Sequence, residues 1–590
     1  MTSTKLVGMI FAATSVAAFG GAHETARIKG TADNDQPASF SRLQVDTSAL
    51  PQDKAFLGEI VLTRAKERTA FSEKGRSLDV SFALDAALTG ETCRVSVCGN
   101  RASVRAGRVR GLIFGAGALL RSVDWRTDSF AVPEGERTVA PAKPIRCAYY
   151  ARHFYNWYHM ASYEELLRLT EDLALWGVNE LNYQFAYPVV DRRYAKGDDI
   201  ARFETVSRQF AKALERMDLD LFGSGGGNQA PHDTDPSLKA EPNTDPKRGN
   251  FGFNVCPAKP GGLDFLIRQE QRFLDDYCKD LRIAHFSHWP FDEGGCECAV
   301  CRPWGGNGYL KLCKALSALY RARYPEATTC LSTWTFHDDE YQMLYDYLAT
   351  DESKWIGMLQ IDSHGDFPSY PLTHKLPRNI PIITFPEISM WGREPWGGFG
   401  AIAMPARFER LFRQVEAIAS GFMFYSEGLS EDINKVVVTQ LYADPTRHWQ
   451  DIVREYCRWE FPGTDPDRFV ELVAHLENTH ALPDFKKKTQ GAQEVGRGSG
   501  PVFADFESRC RYCLDEATKA EALSADLERT MSPARRIDWR WRHIRLRTII
   551  DKEIFTARKW NTPVADAAYR ELVKIYNAER TYSWVRPPVK

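Results

Sequence analysis

The chain has 590 residues, of which 43% are hydrophobic, 12% aromatic and 26% charged, so it exceeds the length at which one core keeps growing and should divide into about two to four domains. Its 76 Lys and Arg almost balance 78 Asp and Glu, and the formal net charge of -2 excludes a global field that would gather nucleic acid or an anionic membrane. Fifteen Trp and 23 Tyr supply flat apolar faces with a polar edge, which suits a sugar ring.

In chain order, Lys5 followed by the apolar run Leu6–Phe19 and the small residues Gly20, Gly21 and Ala22 has the form of a cleavable leader over residues 1–22, so a secreted or periplasmic protein is expected. No later run approaches the roughly 20 apolar residues that a transmembrane helix needs. After a polar stretch to about Leu50, the segments Glu59–Leu62, Leu78–Ala83 and Cys93–Val97 alternate like short strands. The Gly-rich segment Arg110–Arg121 then runs into an apolar helix, and its glycines read as close packing rather than a phosphate loop, because no βαβ dinucleotide unit follows. A small α/β domain over 23–140 is expected, with the Pro-containing stretch Val132–Pro144 as its linker.

From Ile145 the pattern becomes strand, loop, helix, repeated. Eight strands are expected: Ile145–Ala151, Val178–Tyr183, Leu219–Gly223, Ile283–Trp289, Thr328–Thr335, Trp355–Ile361, Ile380–Phe385 and Gly421–Tyr425. Amphipathic segments lie between them, including Tyr163–Leu175, Phe203–Met217, Leu263–Leu281, Gly308–Tyr324 and Arg407–Ala419. Eight alternations over residues 145–445 predict a closed (β/α)8 barrel. Beyond it, residues 446–590 are expected to form a helical domain, with helices near His448–Phe461, Pro466–His480, Ala504–Leu527 and Arg535–Arg558. The basic run from Arg535 to His543 reads as a solvated helix face.

A barrel places its reactive groups at the C-terminal ends of its strands. Carboxylates stand at five consecutive exits: Asp292 and Glu293 after strand 4, Asp338 beside His337 after strand 5, Asp362 and Asp366 with His364 after strand 6, Glu387 before Trp391 after strand 7, and Glu427 after Tyr425 in strand 8. Glycoside hydrolysis needs an acid to protonate the leaving oxygen and a second group to stabilise or attack the anomeric carbon, and Glu and Asp suit both roles. Adjacent acidic residues point apart within a strand, but where the chain turns at a strand exit both can face the cleft. Asp292 would then orient a substrate group while Glu293 serves as the acid.

The segment His288-Trp-Pro-Phe-Asp292-Glu293 resembles the HxGGDE motif of glycoside hydrolase family 20, the β-N-acetylhexosaminidases, with Pro290 and Phe291 in place of the two glycines. The Arg110–Arg121 helix is also similar to the non-catalytic domain that precedes the barrel in families 20, 67 and 84. The resemblance marks an outlying member. It implies an exo-acting, retaining enzyme on a β-linked N-acetylhexosaminide, with Asp292 polarising the acetamide and Glu293 as acid and then base.

The alternative pairs Glu293 with Glu387 or Glu427 as a nucleophile, in which case the two carboxyl groups would lie about 5 to 5.5 Å apart. A third reading is an inverting enzyme resembling the α-glucuronidases of family 67, with Arg152, Arg393 or Lys435 as a clamp for the uronic acid. A non-enzymatic, carbohydrate-binding barrel is the remaining rival. Expected substrate contacts are Arg152, His153, Tyr155, Asn156 and Trp157 after strand 1, Asn182 and Gln184 after strand 2, and His288, Asp362 and His364, with Trp334, Trp391, Trp396 and Tyr425 stacking on sugar faces. Ser224–Asn228 reads as a flexible rim loop. Cys296, Cys298 and Cys301 form CxCxxC, expected to be a disulfide, structural thiols or a structural zinc site, with Cys256, Cys313 or Cys330 as a possible fourth partner. Cys510 and Cys513 read as structural. A glycan is the expected partner, with no cofactor and no catalytic metal.

Overall fold

A computed structural model describes residues 38–576 apart from 152–156, 184–196, 226, 232, 246–247, 249–251, 253, 291–294, 364, 389–400, 481–484, 486–487 and 489–500. The expected leader therefore lies outside the described residues. Eight short parallel strands follow one another around a closed barrel: Ile145–Tyr150, Glu180–Tyr183, Asp220–Gly225, His285–His288, Thr328–Ser332, Met358–Ser363, Ile382–Pro386 and Gly421–Ser426, hereafter strands 1 to 8. Closure is direct, with Gly421 paired to Ile145 and the register running on to Ser426 and Tyr150.

Side chains alternate across these strands, which separates two apolar clusters. Cys147, Tyr149, Phe222, Cys330, Met358, Ile383, Phe385, Met423 and Tyr425 pack inside the barrel. Their neighbours of opposite parity, such as Leu181, Phe286, Leu331, Leu359, Ile382 and Phe422, face the surrounding helices.

The helices are, in order, α1 (Phe56–Lys66) and α2 (Val109–Arg121) in the N-terminal layer; α3 (Trp157–Met160), α4 (Tyr163–Trp176), α5 (Gly197–Arg216), α6 (Gly262–Tyr277), α7 (Gly308–Arg323), α8 (Asp338–Leu348), α9 (Ser369–Thr373), α10 (Pro405–Val415) and α11 (Asp432–Ala443) in the barrel region; and α12 (Trp449–Glu460), α13 (Pro466–Asn478), α14 (Phe506–Thr530), α15 (Pro533–Arg536), α16 (Trp539–Ala557) and α17 (Pro563–Ile575) beyond it. Helix α4 shows how local chemistry sets the ends. The Ser162 side chain accepts from the Glu165 amide at 3.2 Å, the Glu165 carboxylate accepts from the Ser162 amide at 2.8 Å, and Gly177 stops the helix at φ 110°.

The N-terminal layer holds a five-stranded mixed sheet ordered Arg42–Asp46, Ser77–Leu84, Arg101–Ala106, Cys93–Cys98, Gly135–Val139. Two expectations are corrected here. Glu59–Leu62 lies within α1, where Leu57, Ile60, Val61 and Ala65 bury one face; four residues are too few for a helical stripe to show itself. The supposed linker Val132–Pro144 contributes the edge strand Gly135–Val139, paired antiparallel with Cys93–Cys98 and nearly free of apolar residues.

The glycines of α2 do serve close packing. A Cβ on Gly117 would lie 1.9 Å from the Leu175 carbonyl oxygen of α4, and one on Gly115 would lie 2.5 Å from Val104. Two buried arginines tie this layer to the barrel. Arg110 donates to Asp220 at 2.6 Å, and Arg146, on strand 1, donates to the Gly177 carbonyl at 2.6 Å and pairs with Glu91.

The reading of the basic run from Arg535 to His543 as a solvated face is corrected in part: Arg536 is exposed, but Arg535 and Arg540 are buried. Arg540, Trp541, His543 and Arg547 are all buried. Arg540 lies between Asp172 of α4, at 2.9 Å, and Asp432 of α11, also at 2.9 Å, with Glu460 of α12 at 3.8 Å. Three carboxylates from three helices demand a buried cation, so the charge density of the run is used inward. Among the described residues no helix is long and apolar enough to cross a membrane.

Candidate active site

The barrel's inward parity carries a layer of aromatic rings near the C-terminal ends of the strands. Tyr149 stacks on Tyr425 with centroids 5.4 Å apart, Phe385 meets Trp289 edge-on at 4.8 Å, and Trp289 lies 5.4 Å from Trp334. Trp289 is the half-buried member, while Trp334 and Tyr425 are buried.

Three acidic residues share the inward parity at consecutive exits: Asp362 in strand 6, Glu387 one residue beyond strand 7, and Glu427 one residue beyond strand 8. They are 6%, 1% and 2% exposed. Burial pushes the Asp362 carboxyl up to about 7.

Glu427 is held from two sides. The Tyr425 hydroxyl donates to its carboxylate at 2.8 Å, and its own amide donates to Glu431 at 2.8 Å. Glu431 also accepts the Gly428 amide at 3.0 Å and the Ser426 hydroxyl, and Lys435 sits 3.8 Å from it while donating to the Gly428 carbonyl. Burial lowers the Lys435 ammonium from its usual range. Gly428 adopts φ 153°, and a Cβ there would fall 2.5 Å from the Tyr576 hydroxyl and 2.8 Å from Trp157. Tyr576 in turn donates to the Glu427 carbonyl, so the C-terminal helices reach the exit of strand 8.

Beside Glu387 is a residue that sequence reading passed over. Arg407, in the first turn of α10, is buried and within electrostatic reach of Glu387, and desolvation lowers its guanidinium to about 10. An arginine within the buried stripe Phe408, Leu411, Phe412 and Val415 was the available signal.

Of the residues expected at the site, Asp292, Glu293, Arg152, His153, Tyr155, Asn156, Gln184, His364, Trp391, Arg393 and Trp396 lie outside the described residues. The structure brings Asp362, Glu387, Glu427, Trp334 and Tyr425 to one end of the barrel interior. Asn182 also faces inward, donating to Ser224 at 2.7 Å. Trp157 is buried against the Gly428 turn.

Three expectations need correction. His288 has outward parity: its Nε2 meets Ser317 of α7 at 2.7 Å, its ring stacks on Tyr320, and burial lowers it to about 3, so it supports the barrel wall and does not line the cleft. Asp338 is an exposed residue in the first turn of α8, a helix-start carboxylate. Ser224 and Gly225 belong to strand 3 and Asn228 is buried, donating to the Val255 carbonyl at 3.0 Å, so these three residues are packed and not part of a flexible rim loop.

None of the 13 cysteines is joined in a disulfide in this structure. The Sγ atoms of Cys256, Cys296, Cys298 and Cys301 lie within 4.8 Å of one another, a set of soft donors able to hold a metal ion.

No protein-family model matches the sequence, and no curated protein matches it either. Solved structures do match in fold. A glycoside hydrolase family 115 4-O-methyl-α-glucuronidase with specificity for decorated arabinogalactans superposes at a TM-score of 0.57 with 9% identity, over 91% of this chain and 76% of that one. The family 89 glycoside hydrolase of Clostridium perfringens, in complex with its substrate GlcNAc-α-1,4-galactose, gives 0.57 and 11% identity over 89% of this chain and 65% of that one. The family 20 chitobiase of Flavobacterium johnsoniae gives 0.47 and 11% identity, over 93% and 95%. The chain, with its closed eight-stranded barrel, thus shares a fold class with these glycoside hydrolases.

Proposed function

We propose that the protein is an exported glycoside hydrolase in which Glu293 is the proton donor and Glu387 the second carboxylate. One observation carries the reading: buried glutamates at the exits of strands 7 and 8 face the same aromatic layer, the arrangement a barrel glycosidase needs opposite an acid from strand 4. Glu387 is assigned as the nucleophile because a nucleophile must be anionic and Arg407 sets a positive charge within its electrostatic reach. In this reaction Glu293 protonates the leaving oxygen as Glu387 attacks the anomeric carbon. Water then cleaves the glycosyl ester, giving up its proton to Glu293.

The family 20-like motif supports a second reading, in which Asp292 positions a 2-acetamido group that itself attacks the anomeric carbon. A panel of aryl glycosides (β-GlcNAc, β-GalNAc, β-glucoside, α-glucuronide) separates the two. Glu387→Ala should lower kcat/KM by about 10²- to 10⁴-fold or more, with azide restoring turnover as a glycosyl azide. Turnover confined to acetamido sugars, with Glu387→Ala nearly as active as the parent, would overturn the nucleophile assignment in favour of substrate assistance. No turnover of any glycoside, with sugar binding kept in Glu293→Gln, would leave a binding protein.

A further inference from the structure

Four thiols converge beside the barrel mouth, and none of them belongs to the hydrolytic chemistry above. Cys256 precedes α6 in the connection that follows strand 3, while Cys296, Cys298 and Cys301 follow strand 4. Cys256, Cys296 and Cys301 are buried and Cys298 is partly exposed. A regular tetrahedron with zinc–sulfur bonds of about 2.3 Å has sulfur–sulfur edges of about 3.8 Å. The Cys256 sulfur lies 3.8 Å from that of Cys298 and 3.9 Å from that of Cys301, and all four fall within 4.8 Å of one another. Disulfides would instead draw the sulfurs together in pairs at about 2 Å.

The surroundings hold this geometry without using the sulfurs' ligand capacity. The Cys256 amide donates to the Leu238 carbonyl at 2.9 Å, and the Asn254 side chain donates to the Gly295 carbonyl at 3.2 Å, so the two connections are joined directly. Gly295 takes φ 84° just before Cys296, where a Cβ would run into the Trp304 ring at 1.8 Å. The Glu241 amide points at the Cys296 sulfur at 3.4 Å, as an amide does toward a thiolate.

We propose that Cys256, Cys296, Cys298 and Cys301 form a structural zinc site that staples the strand 3 connection to the strand 4 connection. Four thiolates saturate a tetrahedral ion and leave no position for water or substrate, so the site is closed and does no hydrolytic chemistry. Cys296 stands three residues after Glu293 in the chain, so a bearing on the proposed acid would be positional and would rest on the reading above. The assignment does not depend on the glycosidase reading.

The test is metal analysis of the full chain, produced without a metal-affinity step and without added zinc. One zinc per chain is expected, released in step with four thiols as a mercurial titrates the folded protein. Cobalt loading of the chelator-stripped protein should give thiolate-to-cobalt charge transfer with tetrahedral ligand-field bands. Cys298→Ser, at the most exposed ligand, should weaken zinc retention at least tenfold; if that variant does not fold, the measurements on the parent chain decide. Zinc below a tenth of an equivalent, with the four cysteines recovered as disulfides or as freely alkylated thiols, would overturn the proposal. So would iron in place of zinc.

Discussion

Asp362 shows how burial alone shapes a site residue. Its carboxyl sits near 7 because desolvation penalises the charged form. The sign of the linkage follows. Below the unfolded value of about 4 the group is protonated in both states, and as pH rises toward 7 the unfolded chain gains charge that the folded state resists, so stability present at low pH is lost across that window. A shift of roughly three units corresponds to a loss on the order of 4 kcal/mol. Asp362→Asn should therefore gain stability relative to the parent as pH climbs from 4 to 7.5 in urea unfolding; parallel profiles would mean that Asp362 is already ionised in the folded protein. At the residue scale the sequence located Asp362, Glu387 and Glu427 because acidic residues after apolar runs stand out. It misplaced His288 because both faces of a buried parallel strand are packed, so parity is invisible without the register that pairs His288 with Leu331. For the cysteines, three ligands were legible as a local motif, whereas the fourth needed the fold to select Cys256 over Cys330, which points into the barrel, and Cys313, which lies on α7.

Elements were legible where their period was. All eight barrel strands lie within a few residues of their expected positions, since each is a short apolar run between turn signals, alternating with amphipathic helices. Elements whose stability comes from partners were not legible. The edge strand Gly135–Val139 exists because Cys93–Cys98 offers it a ladder, and α16 carries arginines inward because α4, α11 and α12 present carboxylates. Here the buried ion pairs make a prediction. The Asp172 carboxyl is held well below its usual range, chiefly by Arg64 and then Arg540, against a large desolvation cost. Arg540→Ala would leave Asp172, Asp432 and Glu460 short of a cation inside the protein and should cost about 3 to 5 kcal/mol in denaturant unfolding. Arg540→Lys, which keeps the charge but not the two-sided fork, should fall between the parent and the alanine variant. A loss under about 1 kcal/mol in Arg540→Ala would mean that the neighbouring Arg64 and Arg68 already neutralise the cluster.

At the scale of the whole molecule, the helices that follow the barrel do more than cover it. Arg540 ties α16 to α4 and α11, and α11 begins directly after the turn that carries Glu427. Tyr576, just past the end of α17, donates its hydroxyl to the Glu427 carbonyl and closes off the space a side chain at Gly428 would need. The exit of strand 8 is thus fixed from the residue that follows α17, with Glu431 and Lys435 gripping the same turn from α11 and its N-terminal edge. A reacting carboxylate mispositioned by about 1 Å can cost a hundredfold in rate, so this contact would bear on turnover only if Glu427 is one of the reacting groups. Tyr576→Phe removes the buried hydrogen bond to the Glu427 carbonyl while keeping the ring, which should cost about 1 kcal/mol of stability. If Glu427 belongs to the reacting site, the same variant should lower kcat on a cleaved aryl glycoside several-fold while KM changes little, because the hydroxyl touches the backbone that aims the carboxylate and not the sugar. Loss of stability with kcat unmoved would assign the C-terminal helices a bracing role alone and would place Glu427 outside the reacting groups.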